Sequence, residues 1–432
     1  MNHSTIPHFK AAHMAAHSTL ERVILDAQIK IETWFRSAFL DQKGLMTSSV
    51  DIRNAGFKIS PVDTNLFPAG FNNLSEESYP LAIQALQFTL EKILPTCQKI
   101  LLIPENHTRN PYYFESLSVL YTLLEKAGYT VKIGSFLAND EPLYVKVGQH
   151  GNQTLELLPL RLENQRILAN DFKACLILLN NDLSDGIPDI IKNTEQLVIP
   201  TPELGWSHRL KSNHFEQYAR VTEQFADLLS IDPWLITPYF KDCGKMSFDD
   251  KSHDDALMHQ TDEMFSQIRA KYREYQIKEK PFVVIKANQG TYGMAVMMVQ
   301  SPEDIKNLNR KQRQKMTKSK GGKGVDQIVL QEGVHTIETI GALHSVAEPV
   351  VYMIGHHVVG GFYRIHTQKG PLENLNSPGM HFEPLAFDAC CNNPDNRMSP
   401  HTAENTFYVY SVIARLALLA TCYESEALKE AP

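Results

Sequence analysis

Between Ile100 and Ile133 the chain reads as strand, helix and strand, an order that leaves few folds open. Ile100-Leu101-Leu102-Ile103-Pro104 is a short apolar run of the kind a buried strand needs. Phe114, Leu117, Leu120, Tyr121 and Leu124 recur at helical spacing, Gly128 closes that helix, and Val131 to Ile133 starts another strand. Strands joined through a helix run parallel, so this is a β-α-β unit in a sheet covered by helices. Cys175 to Leu179 adds a further buried strand, followed by the turn Asn180-Asn181-Asp182.

Elsewhere the pattern is more varied. Residues 18–40 form an amphipathic helix, with Leu20, Val23, Ile24, Ala27, Ile31 and Trp34 on one face. The block from Asp51 to Leu74, dense in Asn, Pro and Gly, reads as loops. Helices are expected at 209–231 and 254–276, strands at Ile328 to Gln331, Val350 to Ile354 and Val358 to Tyr363, and a last helix near 404–421. A length of 432 residues suits two or three domains, and a net charge of −7 argues against a nucleic-acid binder driven by bulk charge. The basic run Lys306 to Lys323 therefore reads as a solvated helix and glycine-ended flap. Six cysteines without C-x-x-C spacing suit reduced thiols in the cytoplasm. Met1 to Ala16, which includes His13, is a polar leader, and no stretch approaches the length of a membrane span.

The chemistry gathers in the second half. Val283 to Val299 reads as strand, polar loop and strand, with Lys286 where the loop begins and glycines at 290 and 293. Glycine lets backbone N–H groups approach an anion, and the lysine adds point charge for phosphate oxygens. A merely hydrophobic hairpin is the alternative, and neither a Walker A sequence nor a G-x-G-x-x-G fingerprint occurs. Ile328 to Val334 is an apolar strand ending in an acidic turn, able to offer backbone hydrogen bonds to an adenine edge and a carboxylate, Glu332 or Glu338, to ribose. Glu348 to His366 is a hairpin whose returning strand delivers Arg364 with Ile365 on the opposite face, and Glu373-Asn374-Leu375-Asn376-Ser377-Pro378-Gly379 is an acid- and amide-rich loop fit for Mg²⁺ and phosphate.

This series, with the block Ser60 to Leu74, resembles the ATP-grasp superfamily and, within it, the small bacterial glutamate–cysteine ligase (γ-glutamylcysteine synthetase) family. The resemblance runs from about residue 45 to the C-terminus. It implies an α/β (α+β) protein with an ATP-grasp fold preceded by a parallel-sheet α/β domain. The parts would be a leader and helix over 1–44, a substrate domain over 45–205, and an ATP-grasp domain over 206–432 with its lid at about 230–330. By family, ATP would activate the γ-carboxylate of glutamate for attack by the amine of cysteine, the first step of glutathione biosynthesis. A glutathione synthetase-like peptide ligase and a non-catalytic nucleotide-binding protein are the alternatives. Lys286, Gln289, Gly290, Tyr292, Gly293, Gln331, Glu332, Val334 and Glu338 would hold ATP, with Lys286, Arg364 and Asn374 in catalysis. Arg53, Lys58, Asp63, Asn65, Asn72, Asn73 and Arg109 would hold the amino acid, the Asn residues being open also to plain turn chemistry. Late acidic strands that carry metal in glutathione synthetases have no obvious counterpart here. Glu373 and Asn376 are the expected Mg²⁺ ligands, with Glu383 and Asp388 in reserve. The expected partners are small molecules, without nucleic acid or membrane, and assembly into a homo-oligomer is left open.

Overall fold

The computed structural model describes residues 18–42, 45–106, 110–138, 140–148, 153–246, 248, 251–290, 295–317, 324–385 and 406–430. The expected β-α-β unit lies inside an eight-stranded sheet. Leu197–Ile199, Leu176–Asn180, Lys99–Pro104, Thr130–Ser135 and Gln153–Glu163 run parallel in that order, and shorter antiparallel strands complete the margin. The alternation of side chains explains why 100–103 and 176–179 are apolar without a break. Leu101, Ile103, Ile177 and Leu179 enter one core, while Ile100, Leu102, Leu176 and Leu178 enter another under the helices Tyr79–Ile93 and Pro111–Lys126. The second of these helices starts at Pro111 behind an Asn110 side chain that accepts from the Tyr113 N–H, a pairing that satisfies a free helix donor.

Two antiparallel sheets make the other half. A lid sheet orders Phe240–Lys245, Gln327–Glu332, Val283–Ala287 and Val296–Val299. It is backed by the helix Asp254–Glu274. The facing sheet orders Met380–Pro384, His357–His366, Ser345–Ile354, Thr47–Asn54 and Ile59–Asn65. The helix Thr406–Glu430 crosses its back and packs on Lys211–Leu229.

That second sheet corrects the loop expectation for 51–74. Residues 47–65 form a hairpin whose first strand pairs with Ser345–Ile354, so strand pairing runs across the boundary expected at 206. Val50 and Ile52 are fully buried on the core side, whereas Asp51 and Arg53 face the lid. The polar half of the alternation disguised the strand as a loop. Pro61 is tolerated because its strand is the sheet's edge.

Smaller corrections have equally local causes. The helix at 18–40 breaks at Ala27 into Thr19–Asp26, closed by a Ser18–Glu21 capping box, and Gln28–Ala38. The segment Phe407–Leu428 is long and apolar enough to cross a membrane, contrary to expectation, but 89% of its apolar window is buried in the protein core. Arg313, expected on a solvated face, is buried against both oxygens of Asp254. Residues 1–17 and 318–323 lie outside the described residues, and with them the leader and the flap glycines Gly321 and Gly322, whereas Gly324 is described.

Lys58 joins the hairpin to the lid. Its Nζ lies 2.8 Å from Glu332 and 2.9 Å from the Thr237 carbonyl, and stands 4.2 Å from the centre of the Trp234 ring. Both partners of this ion pair are 1% exposed. Removing one side leaves a buried carboxylate uncompensated, so Lys58→Met should cost about 3–5 kcal/mol in urea unfolding. Lys58→Met with Glu332→Gln should recover most of that loss; a single variant as stable as wild type would show that the pair contributes nothing.

Candidate active site

The two antiparallel sheets face each other across a cleft of about 740 Å³, counting its open mouth. Its position follows from strand periodicity. In Val283–Ala287, Val283, Ile285 and Ala287 pack into the lid core, which leaves Val284 and Lys286 on the cleft face. In His357–His366, Tyr363 and Ile365 enter a small core with Ile340, Ala347 and Leu385, and Arg364 lines the cleft. One end of the cleft is apolar, built from Phe282, Val284, Val296, Met298 and Leu372. The other end holds Asp51, Arg53, Asp63, Lys211, Lys286, Glu348 and Arg364.

The charged end is a network rather than a set of separate groups. Cross-strand register sets Glu348 opposite Arg364. Arg364 Nη1 lies 2.6 Å from Glu348 and 2.7 Å from Asp51, whose other oxygen is 3.3 Å from Nη2. Arg53 Nε bonds the second Glu348 oxygen at 2.9 Å. Its remaining nitrogens donate to the carbonyls of Val334, Pro371 and Glu373. Lys286 Nζ reaches the Val62 carbonyl at 2.8 Å and Gln331 Oε1 at 2.5 Å, and Lys211 Nζ lies 3.1 Å from Asp63.

Burial and neighbours set the protonation states. Burial lowers Lys286 to about 8 despite Asp63 nearby. It would raise Asp63, but Lys211, Lys286 and Arg209 outweigh it and hold that carboxyl at about 2. Burial also pushes at Glu348, where Arg53 and Arg364 prevail and keep its pKa low. At Asp51 burial wins over Arg364, and the pKa is raised. Two buried donors on the cleft wall, Arg364 Nε and Gln331 Nε2, have no acceptor among the described residues. An unmet buried donor is costly, so both suit a ligand that accepts hydrogen bonds.

Of the expected ATP and catalytic residues, Lys286, Gly290, Gln331, Val334, Asn374 and Arg364 line the cleft. Gln289 instead walls an adjoining cavity, 3.5 Å from the Ser207 carbonyl. Glu332 borders the cleft, yet both its oxygens are taken up by Lys58, Trp234 Nε1 and the Tyr239 N–H, which leaves no ribose role for the carboxylate. Glu338 lies away from the cleft, buried under Tyr410 and Tyr363, where desolvation raises its pKa. Tyr292 and Gly293 fall outside the described residues.

Among the expected substrate residues, Arg53 and Asp63 line the cleft, but the Arg53 guanidinium is committed to protein acceptors. Lys58 is sealed behind Glu332. Asn65 caps the Phe67 N–H, and Asn72 and Asn73 sit in the turn Phe71–Asn73, so the structure does not bring these three to the wall. Arg109 and Asp388 lie outside the described residues. Glu373 is bound by Lys369 and the Gly370 N–H, while Asn376 lines the cleft; Glu383 sits on Met380–Pro384.

Sequence reading passed over Glu348 and Lys211. A carboxylate inside the apolar run Ala347 to Ile354 demanded a buried cation, and that was the available signal for Glu348. No local signal marked Lys211. Among the described residues no group of three or more His, Cys, Asp or Glu could hold a metal alone. Mg²⁺, however, commonly uses one or two carboxylates together with substrate phosphates. Asp63, on the cleft wall near Lys286 with its carboxyl held low and one oxygen on Lys211, fits that need.

The geometry thus sets an apolar lining beside a cluster of lysines, arginines and carboxylates. Comparison with known proteins points the same way. A candidate γ-glutamylcysteine synthetase from Methylobacillus flagellatus KT shares 48% identity and superposes with a TM-score of 0.88, over 98% of this chain and 99% of that one. D-alanyl-alanine synthetase A from Vibrio cholerae (12% identity, TM-score 0.34, 73% and 80% covered) is too distant to carry weight. A glutathione synthetase-like effector from Globodera pallida (10%, 0.37, 88% and 83%) is equally so. A search of curated protein sequences gave no match. The family model for glutamate-cysteine ligase matches residues 21–425, nearly the whole chain, and the protein belongs to the glutamate–cysteine ligase family.

Proposed function

We propose that the protein is an ATP-dependent ligase that joins the γ-carboxylate of glutamate to the amine of cysteine through a γ-glutamyl phosphate. The observation that carries this reading is the cleft itself: an apolar slot leading to Lys286, Lys211 and Arg364, in a chain of this family. Two antiparallel sheets closing on a nucleotide between them is the arrangement of an ATP-grasp fold, and we assign that fold on this basis. Adenine would lie between Val284, Met298 and Leu372, with the triphosphate running toward Lys286 and the Gly290 backbone.

The chemistry asks for fixed positive charge. A γ-carboxylate oxygen of glutamate attacks the terminal phosphorus, and ADP leaves. The amine of cysteine then attacks the acyl carbon, phosphate departs, and the amine proton is lost to solvent. Charge grows on phosphoryl and carbonyl oxygens in both steps, and preorganised donors stabilise it without reorganising. Lys286 supplies a compact charge. Arg364 is held rigid by Asp51 and Glu348 and keeps one N–H free for an oxyanion. Mg²⁺, when bound, would neutralise phosphate charge, and Asp63 is the side chain we assign to it. A panel scored by ADP release tests the whole reading. Glutamate with cysteine should give turnover; release only with γ-glutamylcysteine and glycine would replace the function with a glutathione synthetase-like one.

Four predictions follow from the site. Lys286→Met should fold normally and lose on the order of 10²-fold or more in turnover. Because Lys286 titrates at about 8, it is cationic below that pH and neutral above it. ATP affinity should therefore hold steady on the acid side and weaken as pH rises through about 8, approaching tenfold per unit. Lys286→Arg should carry tight binding to higher pH, and an unchanged profile would remove Lys286 from the phosphate site. For the metal, Asp63→Asn should raise the Mg²⁺ concentration needed for half-maximal rate more than Glu373→Gln, and the reverse order would return the metal to the asparagine loop. Arg364→Lys keeps charge but loses the fork, so kcat should fall steeply while calorimetric ATP affinity changes little. Equal loss of both would place Arg364 on ATP rather than on the acyl phosphate.

A further inference from the structure

The helix Lys211–Leu229 opens without a cap of its own. Its N-cap residue, Leu210, has no side-chain acceptor for the free N–H groups of the first turn. Asn288, 76 positions from Ser212 in sequence, supplies the acceptors instead. Its carbonyl accepts from the Lys211 N–H at 2.8 Å, and its Oδ1 accepts from the Ser212 N–H at 2.9 Å. Its Nδ2 donates to Ser212 Oγ at 2.9 Å and to Asp242 Oδ2 at 3.3 Å, and Ser212 Oγ donates to that same Asp242 oxygen at 3.0 Å. The Asn288 N–H donates to the Gln327 carbonyl at 2.9 Å. The residue is fully buried, and one amide gives an acceptor to the helix and a donor to Ser212 and Asp242, a division a carboxylate cannot make.

This clamp joins two segments that each bring a lysine to the phosphate end of the cleft. Asn288 follows Lys286 by two residues, at the entry of the turn that holds Gly290, and Ser212 follows Lys211 directly. Gln289 adds a longer contact, 3.5 Å, to the Ser207 carbonyl just ahead of the same helix. Lys211 Nζ lies 3.1 Å from Asp63 and 3.9 Å from the centre of the Trp206 ring. Burial lowers Lys286, and Lys211 nearby lowers it further, so the two ammonium groups repel each other. Cations brought this close stay in place only if both ends of each side chain are held. Asp63 holds the ammonium end of Lys211, and Asn288 holds its backbone.

Resting on the ATP site of the ligase reading, we infer that Asn288 is a positioning residue for the nucleotide: it sets Lys211 and the Gly290 turn at one spacing, so that both meet the triphosphate together. Sealed from the cleft, Asn288 acts through Lys211 rather than on the ligand.

Calorimetry of ATP binding to the full chain with Mg²⁺, beside steady-state kinetics, tests this. Asn288→Ala should weaken ATP binding about tenfold, while the KM values for glutamate and cysteine stay within about twofold. Asn288→Asp with Asp242→Asn exchanges donor for acceptor across the clamp and should bind ATP as wild type does. Lys211→Met alone and Lys211→Met with Asn288→Ala should lose the same affinity, because a residue that acts through Lys211 then has nothing left to act on. Ser212→Ala removes only the hydroxyl of the clamp, should weaken ATP binding about threefold, and keeps the test open if Asn288→Ala fails to fold. Losses that add in the double variant, equal rises in all three KM values, no recovery on the exchange, or ATP binding untouched by the clamp variants overturn the inference and leave the ligase reading standing. No ATP binding by wild type would remove both.

Discussion

Four charged side chains meet in the middle of an antiparallel sheet, and the site depends on their meeting. Asp51, Arg53, Glu348 and Arg364 come from three adjacent strands and are linked by bonds of 2.6–3.3 Å. Arg53, Glu348 and Arg364 are buried. Taking such charges out of water is favourable only when every one finds its partner, so the register of all three strands is held to one alignment. A shift of one residue would turn each of these groups into the core. Arg53 extends the constraint to the backbone at Val334 and at the loop of Pro371 and Glu373, so the turn after Gln327–Glu332 and the asparagine-rich loop are positioned by the same guanidinium.

A second buried pair, Lys58 with Glu332, fixes the lid sheet over this network. The hairpin of residues 47–65 therefore serves both walls: its first strand carries Asp51 and Arg53, and its second carries Asp63 and begins beside Lys58. Arg209, gripped by Glu424 of the C-terminal helix at 2.9 and 3.0 Å, bonds the Thr64 carbonyl at 2.7 Å and so holds that second strand from behind. The strongly hydrated charges of the cleft are thus kept in place by two buried ion pairs, Lys58 with Glu332 and Arg209 with Glu424. A phosphoryl-transfer site needs that rigidity, since donors that must reorganise lose much of their effect.

The fold was readable where neighbours in space are also neighbours in sequence. The β-α-β unit, the Val283 hairpin and the Glu348 to His366 hairpin all follow from local periodicity, and period two put Lys286 and Arg364 on their faces. The hairpin at 47–65 was hidden because its partner strand lies some three hundred residues away and half of its side chains serve the cleft rather than a core. Glu332 and Glu338 looked alike as ribose acids. Only tertiary contacts reveal that Lys58 and Trp234 occupy the first and that Tyr410 covers the second. The Asn-rich turns offered the same residues to a ligand and to the backbone, and the backbone took Asn65. Lys211 enters through the start of a helix whose sequence gives no sign of it.

In the proposed reaction this network serves an acyl phosphate formed on the donor's side-chain carboxylate. Glutamate labelled with ¹⁸O in its γ-carboxylate tests it directly, by mass spectrometry of the phosphate released during turnover with ATP and cysteine. An acyl phosphate requires one labelled oxygen to leave with each inorganic phosphate, and that is the expected result. Phosphate that carries no label, alongside γ-glutamylcysteine formation, would contradict it.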